Sequence, residues 1–263
     1  MITMIRKHKS IARLARNIIV GLLFIAALWL GLSALFSASP PIHYVTSCSM
    51  YPEYSRGDVL LVLPLSPSVT IIGYSGNLAE PQPWAVNYSN KTALLNESIS
   101  SYCNNSAEQM CRNFYSDASG FLEANGPVTY AYANCKTINS SAAKTEPCVS
   151  SVRAGNLTLA TTQKPQAIVY SIKVFASAPA IPVIHRAFFG VKDENSNTFY
   201  YTKGDSNTLF DSQSKGFFLL NNGPAASSTK VMGVVVAKIP FIGDFFRNYR
   251  GIEGCEASQI TIS

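Results

Sequence analysis

One apolar run, Ile18 to Phe36, constrains this chain more than any other feature. It carries no charge, and as a helix it would span ~28 Å, close to the hydrocarbon thickness of a bilayer. Arg6, Lys7, Lys9, Arg13 and Arg16 precede it, and the first acidic residue of the chain is Glu53. Most of the formal net charge of +6 therefore sits ahead of the run. The basic balance is an orientation signal and does not point to nucleic acid: the N-terminus is expected in the cytoplasm and everything past the run outside it. A cleaved secretory signal usually has an apolar core of about 7–15 residues, and this run is longer. We therefore expect a basic cytoplasmic tail over 1–16 and a transmembrane anchor over 17–38. Val231 to Val236 and Ile239 to Phe246 are interrupted by Lys238, Pro240 and Asp244, so no second span is expected.

Beyond Ser39-Pro40-Pro41, which stops the helix, the patterns are those of strands. Ile42 to Thr46 alternates loosely, and Val59 to Leu63 is an unbroken apolar run of the kind that fills a buried strand. From Ser66 to Lys164 the composition turns to Asn, Ser, Thr and Tyr. Asn-x-Ser/Thr sequons stand at Asn87, Asn90, Asn96, Asn104, Asn139 and Asn156, which fits a glycosylated surface. Cys103, Cys111, Cys135 and Cys148 lie in the same stretch, and two disulfides with three possible connectivities are expected there. Apolar strands resume at Ala167–Phe175, Val183–Val191, Phe199–Tyr201, Phe217–Leu220 and Val231–Ile239. The outer part reads as a β body interrupted after its first strand by a polar, Cys-containing insertion.

Ser47-Cys48-Ser49-Met50-Tyr51-Pro52 follows the anchor by about a dozen residues, and a serine there could act as a nucleophile at the membrane surface. It would need a base. His8 lies in the cytoplasmic tail and His43 close to the membrane, while His185 opens His185-Arg186-Ala187-Phe188-Phe189 inside an apolar strand. Near neutral pH a neutral imidazole suits the task. Thr202-Lys203-Gly204-Asp205-Ser206-Asn207, then Asp211, supply two carboxylates able to orient an imidazole or simply to hold turns.

Taken in order, five blocks resemble the type I signal peptidases of the archaeal and endoplasmic-reticulum branch, whose histidine stands where the bacterial branch has lysine. The blocks are Ser47 to Pro52, Gly57-Asp58-Val59, His185-Arg186, Lys203 to Asn207 with Asp211, and Gly233 through Ile239-Pro240-Phe241-Ile242-Gly243. The resemblance covers roughly residues 1–65 and 166–245. It implies a small barrel-like catalytic β domain over 39–65 and 165–250, with 66–164 inserted and 251–263 as a tail. It implies Ser49 as nucleophile and His185 as general base, with Asp205 and Asp211 orienting or supporting it. Ser47 would join the Ser49 backbone N–H in holding the oxyanion. Met50, adjacent to Ser49, is a candidate for the substrate pocket. Cys48 replaces the glycine usual between the two serines, and nothing in the family pattern assigns the insertion a role.

The activity implied is removal of signal peptides from exported preproteins at the cell or endoplasmic-reticulum membrane, through an acyl-enzyme and without a cofactor or metal. Preproteins and the bilayer would be the partners, with export-machinery subunits as further candidates and nucleic acid excluded. The alternative reading is a membrane-anchored surface or binding protein with an inactive peptidase-like body, in which the glycosylated insertion does the work.

Overall fold

The computed structural model describes residues 15–31, 41–139, 142–173, 179–214, 226–227, 230–239, 255 and 259–262. The chain divides into two compact units, Met1–Ile42 and His43–Ser263. In the first, residues 15–31 form helix α1, whose apolar side chains, Leu22, Phe24 and Leu30 among them, are exposed. Among the described residues no helix is long and apolar enough to cross a membrane. The tail ahead of α1 and the rest of the expected anchor, residues 32–38, lie outside those described.

The second unit is mainly β. Its strands begin with β1 (Ile42–Tyr44, which straddles the unit boundary), β2 (Val59–Leu63), β3 (Ile71–Gly73), β4 (Trp84–Tyr88) and β5 (Lys91–Leu95). Two short helices, α2 (Ile99–Cys103) and α3 (Gln109–Ser116), precede β6 (Leu122–Asn125), β7 (Val128–Asn139), β8 (Ala142–Ala154) and β9 (Leu157–Ala160). Then come β10 (Ala167–Ile172), β11 (Ile181–Lys192), β12 (Thr198–Lys203), a 3₁₀ turn at Asp211–Gln213, β13 (Ala226–Ser227), β14 (Val231–Ile239) and β15 (Gln259–Ile262). The expected strand Phe217–Leu220 and the Pro240–Gly243 block lie outside the described residues.

Where one small barrel-like body with an insertion was expected, the described strands form two sheets. The first is ordered β1-β2-β14-β10-β11-β12-β13, with β3 running parallel to the end of β11. The second is ordered β5-β4-β6-β7-β8-β9, with β15 added to β7. The central strands β10 and β11 read as continuous apolar runs because both their faces are covered. In the second sheet β7 and β8 form a long antiparallel hairpin, from Val128 opposite Ala154 to Asn139 opposite Ala142. β15 takes up the edge of β7 past the end of β6, setting Ile262 opposite Cys135.

One hydrophobic core serves both sheets. Val86, Phe114, Tyr130 and Val152 from the second sheet and its helices pack in one cluster with Phe188, Phe189, Tyr201 and Phe210 from the first. A smaller cluster of Ile168, Tyr170, Ala187, Tyr200 and Val234 belongs to the first sheet alone. Disulfides join Cys103 to Cys111 and Cys135 to Cys148, and a third joins Cys48 to Cys255.

Candidate active site

Ser49 lies in a tight turn just past β1, closed by Tyr51 N–H donating to Cys48 O at 3.0 Å and Tyr54 N–H to Met50 O at 2.9 Å. The Gly204–Asn207 turn after β12 seals its far side. Ser206 N–H donates to Ser49 O at 2.8 Å, and its hydroxyl donates to Cys48 O at 3.0 Å and Tyr51 O at 2.9 Å. Glycine is required at 204 by crowding: a Cβ there would stand 2.6 Å from Ser49 O.

His185 is set by the β10–β11 ladder, opposite Ile168. Its Nε2 lies 3.0 Å from Ser49 Oγ and its Nδ1 2.7 Å from Asp211 Oδ2. With the proton on Nδ1 donated to Asp211, Nε2 is left to accept from the serine hydroxyl. The two residues converge from 136 positions apart. Asp211 is held by more than the imidazole. Tyr170 donates its hydroxyl proton to the same oxygen at 2.6 Å and Thr202 does so at 2.5 Å. Burial and the neighbouring Asp211 charge hold the Tyr170 phenol well above its ordinary range, so it stays protonated and serves as a donor. His185, Asp211, Tyr170 and Thr202 are all buried, whereas Ser49 is half-buried.

The two sequence-designated carboxylates separate here. Asp211 orients the imidazole. Asp205 grips Arg186 with both oxygens, Oδ1 to Nε and Oδ2 to Nη2, each at 3.0 Å. Arg186 also donates to Pro165 O and lies over the Tyr54 ring, so Asp205 braces the wall beside the histidine. Ser47 Oγ is 3.1 Å from Ser49 Oγ and exposed. Met50 is almost wholly buried.

Ser47, Ser49, Met50, Tyr170 and His185 line a cleft of about 460 Å³. One wall comes from Tyr44 to Thr46 and another from Ile181 to Ile184, apolar edges flanking the Ser49–His185 pair. Behind the Gly204 turn, Lys203 is buried with its Nζ donating to Gly204 O at 3.2 Å, and burial pushes its ammonium down to about 8. Among the described residues no group of three or more His, Cys, Asp or Glu side chains could hold a metal ion.

Cys48 does not occupy a left-handed backbone position, so a side chain is admitted between the two serines without strain there. Its sulfur is bonded to Cys255 and is no competing nucleophile. That pairing was within reach of the sequence: Cys48 and Cys255 are what is left of the six cysteines once the four of the insertion are paired. Tyr170 belongs to no motif and Thr202 only opens the stretch that carries the carboxylates; the folded packing reveals both as donors to Asp211.

Chemically, the arrangement can deprotonate a serine hydroxyl, stabilise the resulting imidazolium and present both to an extended chain lying in the cleft. Comparison of the chain with protein-family models, with curated proteins and with solved structures finds no match.

Proposed function

We propose that this chain is a membrane-anchored serine endopeptidase that removes signal peptides from exported preproteins. The observation that carries the reading is the continuous line from Ser49 Oγ through the His185 ring to Asp211, with links of 3.0 and 2.7 Å. His185 takes the Ser49 proton as Oγ attacks the carbonyl at the cleavage site. Asp211 holds the imidazolium while the tetrahedral intermediate exists. The Ser47 hydroxyl and the Ser49 backbone N–H receive the oxyanion, a type of contact worth about 10²–10³ in rate. His185 then returns the proton to the leaving amine, and water, activated by the same imidazole, releases the acyl group from Ser49.

The substrate class follows from the resemblance together with the position of the serine. Ser49 follows the apolar run by about a dozen residues, a reach of at most ~43 Å even when fully extended. The exposed apolar side chains of α1 suit insertion in lipid better than contact with water. A preprotein would lie extended in the cleft, with small side chains at −1 and −3. Membranes carrying the full chain should cleave a preprotein reporter, and Ser49→Ala and His185→Ala should each abolish cleavage. Full activity in either variant overturns the mechanism.

A further inference from the structure

Asp211 begins a three-residue turn whose members face opposite ways. Asp211 bonds to the first sheet through His185, Tyr170 and Thr202. The next two residues bond to the second. Ser212 Oγ lies 2.9 Å from the Tyr130 hydroxyl. The Gln213 amide donates to Glu123 Oε2 at 2.7 Å and to the Tyr132 hydroxyl at 2.6 Å, and Gln213 O accepts the Ser98 hydroxyl at 2.7 Å. Glu123 in turn accepts from Tyr132 at 2.6 Å and from the Ile99 N–H at 2.5 Å. Glu123 and Tyr130 are completely buried, and Gln213 is 1 % exposed.

Every one of these partners belongs to the stretch between the first strand and the histidine-bearing strand. Water does not compete for buried bonds of this kind, so they fix the turn far more rigidly than its own short backbone does. A hydrogen bond of 2.7 Å is largely lost if the carboxylate moves back by an ångström. Tyr170 and Thr202 grip the carboxylate itself, and where residues 212 and 213 are held sets the backbone from which Asp211 reaches Nδ1.

We propose that the inserted stretch is the positioning element for the catalytic carboxylate: Tyr130, Tyr132 and Glu123 of the second sheet, with Ser98 at the start of α2, hold the 211–213 turn so that Asp211 stays on the His185 ring. The inference deepens the peptidase reading and rests on it for its catalytic meaning. Tyr130 and Gln213 are positioning residues, since neither touches the serine or the imidazole.

The test uses the full chain in detergent micelles and the double variant Tyr130→Phe/Gln213→Met, which keeps side-chain bulk and deletes the Tyr130–Ser212 bond and the bonds of the Gln213 amide to Glu123, Tyr132 and the Phe210 N–H, while Tyr130→Phe alone leaves the last of these in place. Two readouts are taken: the low-field proton resonance of the His185 Nδ1–H bond, and steady-state cleavage of a preprotein. Asp211→Asn serves as the variant that removes the resonance, and Leu94→Ala, exposed on β5, as the silent control. The double variant should broaden or displace the resonance and lower kcat on the order of 10²-fold, with KM within about twofold. A double variant with wild-type near-UV dichroism, an unmoved resonance and an unchanged kcat overturns the proposal, as does a wild-type protein with no such resonance. If the double variant loses its near-UV signal, Tyr130→Phe alone, which removes one oxygen, is judged by the same two readouts. A wild-type chain that shows the resonance, loses it in the variant, yet cleaves no preprotein would retire the peptidase reading and leave the positioning role standing.

Discussion

Lys203 shows what the site demands of single residues. It ends β12 under the Ser49 turn, 7 % exposed, and both nearby carboxylates are committed elsewhere, Asp205 to Arg186 and Asp211 to His185. Burial is the largest influence and lowers its pKa from 10.5 to about 8, against the pull of Asp205 and Asp211. Because the folded value lies below the unfolded one, the unfolded chain binds more protons between pH 8 and 10.5. Stability then rises with pH across that window, by up to about 3 kcal/mol from this residue. The buried tyrosines Tyr130, Tyr132 and Tyr170, raised above 10, act in the opposite sense only at higher pH. Urea unfolding at pH 7.5 and 9.5 should show the wild type stabilised at the higher pH, and Lys203→Met nearly indifferent. Equal responses in the two proteins would remove Lys203 from the account. At this scale the sequence was legible in part. The order of blocks singled out Ser49 and His185, because that chemistry depends on residue type. It left Asp205 and Asp211 equivalent, because turn geometry separates them. Arg186 faces Lys203 across the β11–β12 ladder, which brings Asp205 to the guanidinium, while the path back to the imidazole runs through a turn held from another sheet.

Among the elements, β15 and the Cys48–Cys255 bridge were least visible beforehand. Gln259–Ile262 lies in a stretch that reads as a tail, and four residues cannot announce a strand when the partner edge belongs to β7, more than 100 positions earlier. β2, β10 and β11 were legible because much of each is packed on both faces, leaving long apolar runs; β14, exposed from Val236 to Lys238, was legible from its valine-rich run alone and matches the expected Val231–Ile239 end to end. The bridge closes a loop with a sequence separation of 207, against 8 for Cys103–Cys111. In the chain-entropy account, loops of those lengths stabilise by about 5 and about 2.5 kcal/mol. Cys48→Ser/Cys255→Ser should therefore lower the urea midpoint more than Cys103→Ser/Cys111→Ser does, with the slope of the transition similar in both. The reverse order would mean that the long bridge constrains little in the unfolded chain. Cys48 also separates Ser47 from Ser49, so the same bridge fastens the Ser49 turn to the segment leading into β15.

For the molecule as a whole, composition suggested a border at about residue 66 that packing does not follow. A polar stretch rich in Asn and Ser reads as a separate lobe, yet its polarity comes from antiparallel strands with one face in water, and the other face contributes every second residue to a common core. Along β7 the buried positions Val128, Tyr130 and Tyr132 alternate with partly exposed ones, and they meet Phe188, Phe189 and Phe210 from the first sheet. The first sheet also claims β3, from within the polar stretch. If the shared core is the basis of stability, the half that carries Ser49 and His185 should not survive alone. Replacing residues 77–161 by a short Gly-Ser linker would expose Phe188, Phe189 and Phe210, now 5 % exposed or less. At about 1.5–3 kcal/mol for each side chain returned to water, that loss approaches the whole stability of an ordinary domain. The shortened chain, purified in the same detergent, should lack near-UV dichroism, bind a hydrophobic dye and show no cooperative urea transition. A sharp transition in that chain would mean that the first sheet carries its own sufficient core, and the second sheet would then be an appendage and no part of the frame.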